Sequence, residues 1–212
     1  MNNVMERVTQ HGVVPVVVVD NPADAVPLAH TLVEAGLPVI ELTLRTPAAL
    51  QAMAQIAAQV PQILLGAGTV LTTGMLDQAI AAGAKFGVSP GLSPVAKAAV
   101  ERGLPFIPGA VTPSEVIGAL DLGLTHIKFF PAGAYGGLKT LTALGGPFQA
   151  TGAKFMPTGG VKAETAGEYL ASDLVFAVGG TWIAPLADIN AHNWDAIGQR
   201  AAQAAAIGRP GT

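Results

Sequence analysis

The stretch VVPVVVVDNPAD, residues 13–24, decides between the two folds that the rest of the chain permits. Its apolar, β-branched first half predicts a buried strand, and Pro22 opens a helical stretch that runs to Ala35. In a doubly wound open sheet, the first strand is usually followed by a glycine-rich dinucleotide turn. No glycine occurs in residues 13–24. This absence favours the alternative α/β architecture, a (β/α)8 TIM barrel.

The same unit, a short apolar run followed by a helical stretch, recurs along the chain. Seven further runs follow the first: PVIELTL, ILLGAG, KFGVSP, PFIPGAV, HIKFFP, KFMPTGG and VFAVGGTW. Helices are predicted between them at 47–59, 73–82, 94–102, 113–122 and 163–171, several beginning at an early proline. Eight units in 212 residues suit a short barrel, since the typical length is about 250 residues. With no visible boundary, residues 1–212 are predicted to form a single domain.

Composition limits the classes of partner. Hydrophobic residues make up 50% of the chain, net charge is −3, and no basic stretch accompanies the two Trp and two Tyr. A nucleic-acid partner is therefore not expected, and a small molecule is. The absence of cysteine excludes disulfides and zinc–thiolate sites and is compatible with a cytoplasmic protein. The first dozen residues lack a signal-peptide core, and the longest apolar stretch, 13–19, is too short to span a membrane.

Barrel enzymes carry their chemistry at the carboxyl ends of the strands, so polar residues late in a strand are informative. In VIELTLR, Ile40, Leu42 and Leu44 alternate with Glu41, Thr43 and Arg45. If the apolar set faces the helices, Glu41 and Arg45 point inward, with Arg45 nearest the mouth. A purely structural ion pair between the two is an equally good interpretation.

One of the six lysines lies inside a predicted strand. Lys128 is flanked by Ile127, Phe129 and Phe130, where an ammonium group without a function would be costly to bury. A lysine attacks a carbonyl only as the neutral amine, which burial and a nearby cation both favour. Arg45 is the predicted source of that cation, and its guanidinium also suits a substrate carboxylate.

Glycine pairs follow the seventh and eighth strands, Gly159–Gly160 and Gly179–Gly180. This is the recurrent phosphate position in barrels, because backbone N–H groups converge there on an anion. Thr69 directly follows the third run and Ser89 lies near the end of the fourth, with hydroxyls available for a carboxylate or carbonyl. Taken singly, a residue of this kind is more often a helix cap. His126 begins its strand and is predicted to be structural, while His11, His30 and His192 are predicted to lie on the surface.

The motifs ELTLRT (41–46), GAGTV (66–70), SPGL (89–92), IKFFPA (127–132), PTGG (157–160) and GGTW (179–182) occur in the order typical of one family. Over its whole length the chain resembles the 2-keto-3-deoxy-6-phosphogluconate (KDPG) aldolases, including bifunctional KDPG/4-hydroxy-2-oxoglutarate aldolases. The resemblance implies reversible cleavage of 2-dehydro-3-deoxy-6-phosphogluconate to pyruvate and glyceraldehyde 3-phosphate, in a homotrimer and without a metal or organic cofactor.

The resemblance also implies roles for individual residues. Lys128 is the expected Schiff-base lysine and Glu41 the general acid/base. The remaining assignments are Arg45 and Thr69 for the pyruvate carboxylate, Pro90 and Phe130 for the pocket wall, and Gly159, Gly160, Gly180 and Thr181 for the phosphate. The chain departs from many relatives at Thr181, where they have Ser, but the hydroxyl is kept.

Selectivity between substrate epimers is assigned to Thr158, because related galactonate-type aldolases tend to have an apolar residue there. Two other functions remain open on the residues alone. A phosphosugar isomerase or synthase on the same barrel would share the glycine loops but need no strand-embedded lysine. A non-catalytic phosphate-binding barrel is the alternative that is not an enzyme.

Overall fold

Strands and helices alternate through the part of the chain that the computed structural model describes, residues 2–207. Met1 and residues 208–212, the ends of the predicted domain, lie outside it. The strands are β1 (Val13–Val17), β2 (Val39–Thr43), β3 (Leu64–Gly68), β4 (Phe86–Val88), β5 (Phe106–Ile107), β6 (His126–Phe129), β7 (Lys154–Pro157) and β8 (Val178–Gly180). Each lies within one of the eight apolar runs, so the predicted strand positions are confirmed.

The helices are α1 (Asn2–His11), α2 (Ala25–Glu34), α3 (Ala49–Gln59), α4 (Thr73–Ala81), α5 (Pro94–Glu101), α6 (Pro113–Asp121), α7 (Gly137–Gly145), α8 (Ala163–Leu170), α9 (Leu186–Asn190) and α10 (Trp194–Ile207). Short 3-10 helices cover Pro22–Asp24 and Gly146–Thr151. The former precedes α2, so the helix predicted from Pro22 begins as a 3-10 turn.

All strand pairings in the described part of the chain are parallel. Six strands form one sheet in the order β5-β4-β3-β2-β1-β8, and β6 pairs with β7 in a second. Single parallel bridges join Gly109 to Lys128 and Thr158 to Gly179, beside the ends of the two sheets. The predicted α/β class with a parallel sheet is thus confirmed, and β1 has β8 and β2 as its neighbours.

Local signals explain where the helices begin and end. Thr112 accepts a hydrogen bond from the Glu115 backbone N–H, while Glu115 accepts one from that of Thr112, a capping box that starts α6. Hydrogen bonds from Val111 and Thr112 outweigh desolvation by burial and lower the pKa of Glu115. After α4, Gly83 adopts φ 95°, a left-handed value that favours glycine. The Cβ of Ala57 occupies the space that a side chain at Gly83 would need.

The hydrophobic core lies between the strands and the helices. In β2, Ile40 and Leu42 are fully buried in this core, and Leu44, just beyond the strand, is partly buried against it. Burying a side chain of this size contributes about 1.5–3 kcal/mol. Since alternate residues of a strand point to opposite faces, Glu41 and Thr43 are directed away from these core residues. None of the helices within residues 2–207 combines the length and the apolar composition that a membrane-spanning helix requires.

Candidate active site

Two backbone hydrogen bonds join Lys128 to the segment that follows β5. Its N–H donates to the Pro108 carbonyl at 2.8 Å, and its own carbonyl accepts from the Ala110 N–H at 2.9 Å. On the other side it is in parallel register with Met156 of β7. The residue is only 6% exposed. Its backbone is thus fixed between two neighbouring segments, and the amine is kept from bulk water.

The buried amine has a carboxylate partner on β2. Lys128 Nζ donates a hydrogen bond to Glu41 Oε1 at 3.1 Å, and Glu41 is completely buried. Glu41 Oε2 is equally buried and has no hydrogen-bond partner among the described residues. A buried polar atom of this kind ordinarily binds a protein group, a water or a ligand. The pair therefore offers one oxygen to the lysine and leaves the other available for exchanging a proton.

An aromatic ring lies beside the amine. The Phe130 ring centroid is 5.3 Å from Lys128 Nζ, within the range of a cation–π contact. Phe130 also closes against the loop after β7, since a Cβ at Gly159 would lie 3.1 Å from its ring. The partly buried Phe130 thus connects the lysine to the first glycine pair.

The loops after β6 and β7 are joined by backbone hydrogen bonds. Ala132 N–H donates to the Thr158 carbonyl and Gly133 N–H to the Gly159 carbonyl, both at 2.8 Å. Gly159 and Gly160 have φ of 83° and 84°, left-handed values that favour glycine. The conformation of the predicted phosphate loop is therefore tied to the segment that follows Lys128.

The end of β8 lies beside this loop, because Thr158 and Gly179 are bridged. Gly180 is buried with the Trp182 ring against it, and Thr181 is exposed. Thr158 is 2% exposed and donates from Oγ1 to the Met156 carbonyl at 3.3 Å. The hydroxyl oxygen of Thr158 keeps its capacity to accept another hydrogen bond.

Arg45 and Thr69 follow the neighbouring strands β2 and β3, so they lie at the same edge of the sheet as the carboxyl ends of both. Arg45 is exposed and has no ion-pair partner within residues 2–207. The ion-pair partner of Lys128 is Glu41, and the role of Arg45 as the cation near the lysine stays a prediction. Thr69 has φ 56°, a left-handed value that is uncommon for a residue with a side chain and often accompanies function.

Ser89 and Pro90 follow β4. The Ser89 hydroxyl is buried and donates to the Gly91 carbonyl at 2.8 Å, so it stabilises its own turn. Pro90 is exposed. Its carbonyl group packs against Gly109, since a Cβ added at Gly109 would lie 2.2 Å from the Pro90 carbonyl oxygen. The sequence could not reveal that the Ser89 hydroxyl is used locally, because that depends on the turn the loop adopts.

His126 lies at the opposite end of β6 from the loop that carries Phe130. It helps to line a cavity of about 390 Å³ with Met5, Phe106 and Leu124. Its ring meets Phe176 edge-on, with centroids 4.7 Å apart. Burial, and then the charge of Lys154, lower the pKa of His126. His30 and His192 are exposed, whereas His11 is partly buried. Burial, and then the charge of Arg7, lower the pKa of His11.

The parallel strands and the buried lysine–glutamate pair define an α/β enzyme with its site among the strands. The family model described as KDPG and KHG aldolase matches residues 4–200. The chain belongs to this family.

Relatives agree in sequence and in fold. A KHG/KDPG aldolase of Escherichia coli (strain K12) is 45% identical over 193 residues, covering 91% of this chain and 90% of the relative. The structure of a Legionella pneumophila KDPG aldolase, with pyruvate captured at low pH as a covalent carbinolamine intermediate, has a TM-score of 0.90 at 39% identity and covers 97% of this chain and 98% of its own. That of a Zymomonas mobilis ZM4 aldolase with 3-phosphoglycerate has a TM-score of 0.89 at 41% identity, covering 97% and 96%.

Proposed function

We propose that the chain is a class I aldolase that reversibly cleaves 2-dehydro-3-deoxy-6-phosphogluconate to pyruvate and glyceraldehyde 3-phosphate. The observation that carries this proposal is the buried amine of Lys128 beside the Glu41 carboxylate. The captured pyruvate adduct of the Legionella relative supports the same chemistry. The proposed reaction uses groups of the chain alone and requires no metal or organic cofactor.

The proposed architecture is one (β/α)8 barrel, formed by residues 1–212 as a single domain. Two observations support closure of the ring. The bridge between Gly109 and Lys128 links the loop after β5 to β6, and the bridge between Thr158 and Gly179 links the end of β7 to β8. Together with the six-stranded order and the pairing of β6 with β7, these bridges support a ring in which β1 lies beside both β2 and β8.

In the first proposed step, the Lys128 amine attacks the C2 ketone. The ammonium group first gives its proton to a solvent water, and the hydrogen bond from Nζ to Glu41 orients the resulting amine. The carbinolamine hydroxyl then takes a proton from solvent and leaves as a water molecule, which gives an iminium between Nζ and C2. Arg45 and Thr69 are proposed to hold the substrate carboxylate, with Pro90 and Phe130 lining the pocket.

In the second step, the C4 hydroxyl loses its proton to Glu41, directly or through a water at the unpartnered Oε2. The C3–C4 bond breaks, its electron pair moves into the iminium to give an enamine, and glyceraldehyde 3-phosphate leaves. Glu41 returns the proton to C3, and water hydrolyses the imine to pyruvate and free lysine. One carboxylate can serve both halves because it alternates between base and acid.

The phosphate is proposed to bind at Gly159, Gly160, Gly180 and Thr181. The left-handed glycines and the bridged ends of β7 and β8 support this location. A homotrimer in the cytoplasm is proposed from family membership, and sedimentation of the purified protein tests the oligomeric state. Activity on 4-hydroxy-2-oxoglutarate is a separate question, raised by the KHG/KDPG name of the E. coli relative.

Borohydride reduction in the presence of pyruvate tests the proposed function. We expect one reduced adduct per chain, located at Lys128 by peptide mass mapping. A phosphosugar isomerase or a non-catalytic barrel would not be labelled, and a label on another lysine would exclude the assignment. Lys128→Arg keeps a cation but removes the nucleophile, so labelling and turnover should fall to background while the circular dichroism spectrum is retained.

A further inference from the structure

The face of β3 turned toward Glu41 lacks side chains at two successive positions. Gly66 and Gly68 are two residues apart and therefore share a face of the strand. The space beside Gly66 is filled by the Phe86 ring, and the space beside Gly68 is filled by Glu41. Because β3 lies between β2 and β4, the two occupants come from opposite neighbours.

Gly68 is in close contact with the carboxylate itself. A Cβ at this position would lie 2.8 Å from Cγ of Glu41 and 3.0 Å from Cδ, and closer still to Oε1. The three nearest atoms all belong to Glu41, and Oε1 is the oxygen that accepts from Lys128. In the register of the sheet, Glu41 lies opposite Gly66, so its side chain leans along β3 to cover Gly68.

We infer that Gly68 is a positioning residue for Glu41. Its missing side chain leaves the volume in which the carboxylate reaches Lys128 with one oxygen and keeps the other free. A methyl group there would displace the carboxylate, because the contact distances are shorter than real Cβ contacts allow. This inference rests on the proposed roles of Lys128 and Glu41, but the contact on which it depends is a property of the fold.

Gly68 is a clean site for such a test because its φ lies outside the left-handed range that disfavours other residues. Gly68→Ala therefore changes the space beside Glu41 without imposing a strained backbone. Gly66→Ala is the matched control: it adds the same methyl group to the same face of the same strand, but against the Phe86 ring at 2.2 Å.

The first experiment separates imine formation from proton transfer. For wild type, Gly68→Ala and Gly66→Ala, borohydride trapping measures the pyruvate imine, and NMR in heavy water measures exchange of the pyruvate methyl protons. For Gly68→Ala we expect trapping within about threefold of wild type and exchange slowed about 10- to 100-fold, since a positioned acid/base contributes about 10²–10⁴-fold. For Gly66→Ala, imine and exchange should keep their wild-type ratio, although the folded state is less stable.

The second experiment is a double-mutant cycle in thermal stability with Glu41→Ala. Gly68→Ala should lower the Tm of the wild type, but not of Glu41→Ala, where the added methyl group enters the space left by the carboxylate. If Gly68→Ala alone does not fold, the double variant should restore the folded protein. An equal loss of Tm in both backgrounds, or a parallel loss of imine and exchange, would overturn the inference. Absence of trapping in the wild type would instead contradict the proposed function and leave the cycle as an independent test.

Discussion

Lys128 on β6 and Glu41 on β2 meet through a 3.1 Å hydrogen bond between Nζ and Oε1, although 87 positions separate them in the chain. The strands that carry them belong to different sheets, so the contact crosses the space between the two. Removing one member of a buried ion pair ordinarily costs stability, because it leaves the other charge uncompensated. Here each member also has a separate proposed role, and the two roles can be tested one at a time.

Glu41→Gln should uncouple imine formation from carbon–carbon cleavage. The amide fills similar space and can still accept a hydrogen bond from Lys128, but it cannot exchange a proton. We expect borohydride to trap the pyruvate imine while turnover falls by about 10²–10⁴-fold. Wild-type exchange of the pyruvate methyl protons in this variant, followed by NMR, would remove Glu41 from the mechanism.

Thr158→Val should change selectivity between the C4 epimers of the substrate. The hydroxyl is buried, and an epimer that cannot pair with it leaves a polar group unsatisfied, at a cost of about 1–3 kcal/mol. The ratio of kcat/KM for the gluconate and galactonate substrates should therefore fall by roughly 5- to 150-fold.

The control for Thr158 is Thr43→Val, which removes another buried hydroxyl, one that donates to the Val17 carbonyl at 3.0 Å. This control should lose stability without a change in the epimer ratio. If both epimers lose activity in equal proportion in Thr158→Val, Thr158 is a packing residue.

Thr181→Val should lower kcat/KM for the phosphorylated substrate without affecting the reaction of Lys128 with pyruvate. A hydrogen bond to a charged group contributes about 1.5–3 kcal/mol, so kcat/KM for the phosphorylated substrate should fall about 10- to 150-fold. Pyruvate carries no phosphate, and its trapping at Lys128 should be unchanged. Thr181→Ser, which keeps the hydroxyl, serves as the control, and impaired trapping in Thr181→Val would argue against a phosphate role.

His126 should make folding depend on pH. In the folded state, burial and the charge of Lys154 lower the pKa of His126 below the ordinary histidine value of 6.5. The imidazole therefore binds a proton more readily in the unfolded chain. Its contribution to stability is present above pH 6.5 and is lost as the pH falls through 6.5 toward the folded-state pKa. The Tm advantage of wild type over His126→Gln should shrink between pH 7.5 and 5. The exposed His30→Gln is the control, and a Tm difference that does not vary with pH would contradict the assignment.

Sequence patterns predict the burial of Lys128 and Glu41 better than they predict the contact between them. The apolar neighbours of Lys128 and the alternation around Glu41 indicated two buried, inward-facing charges, and both are buried. That the two meet depends on how β2 and β6 lie in space, which no local pattern encodes. Arg45, predicted to be the cation near the lysine, lies two residues beyond the last residue of β2 and is exposed.

Glycines were the other source of incomplete prediction. Gly136 and Gly137, at the start of α7, both have left-handed φ, and their conformation was not predicted from the sequence. From the sequence, Gly66 and Gly68 are recognised only as parts of a motif. Glycine is needed at these positions because the side chains of Phe86 and Glu41 pack against them. A close approach between strands becomes visible only when the neighbouring strands are known.

The pairing of Val13 with Val178 has a consequence for biosynthesis. During translation β1 emerges from the ribosome long before β8, so one side of the nascent strand stays without its hydrogen-bond partners until β8 has been made. Contacts between such distant positions slow folding, and exposed strand edges promote aggregation. A messenger truncated before codon 178 should therefore yield an insoluble product, even though it still encodes both Glu41 and Lys128.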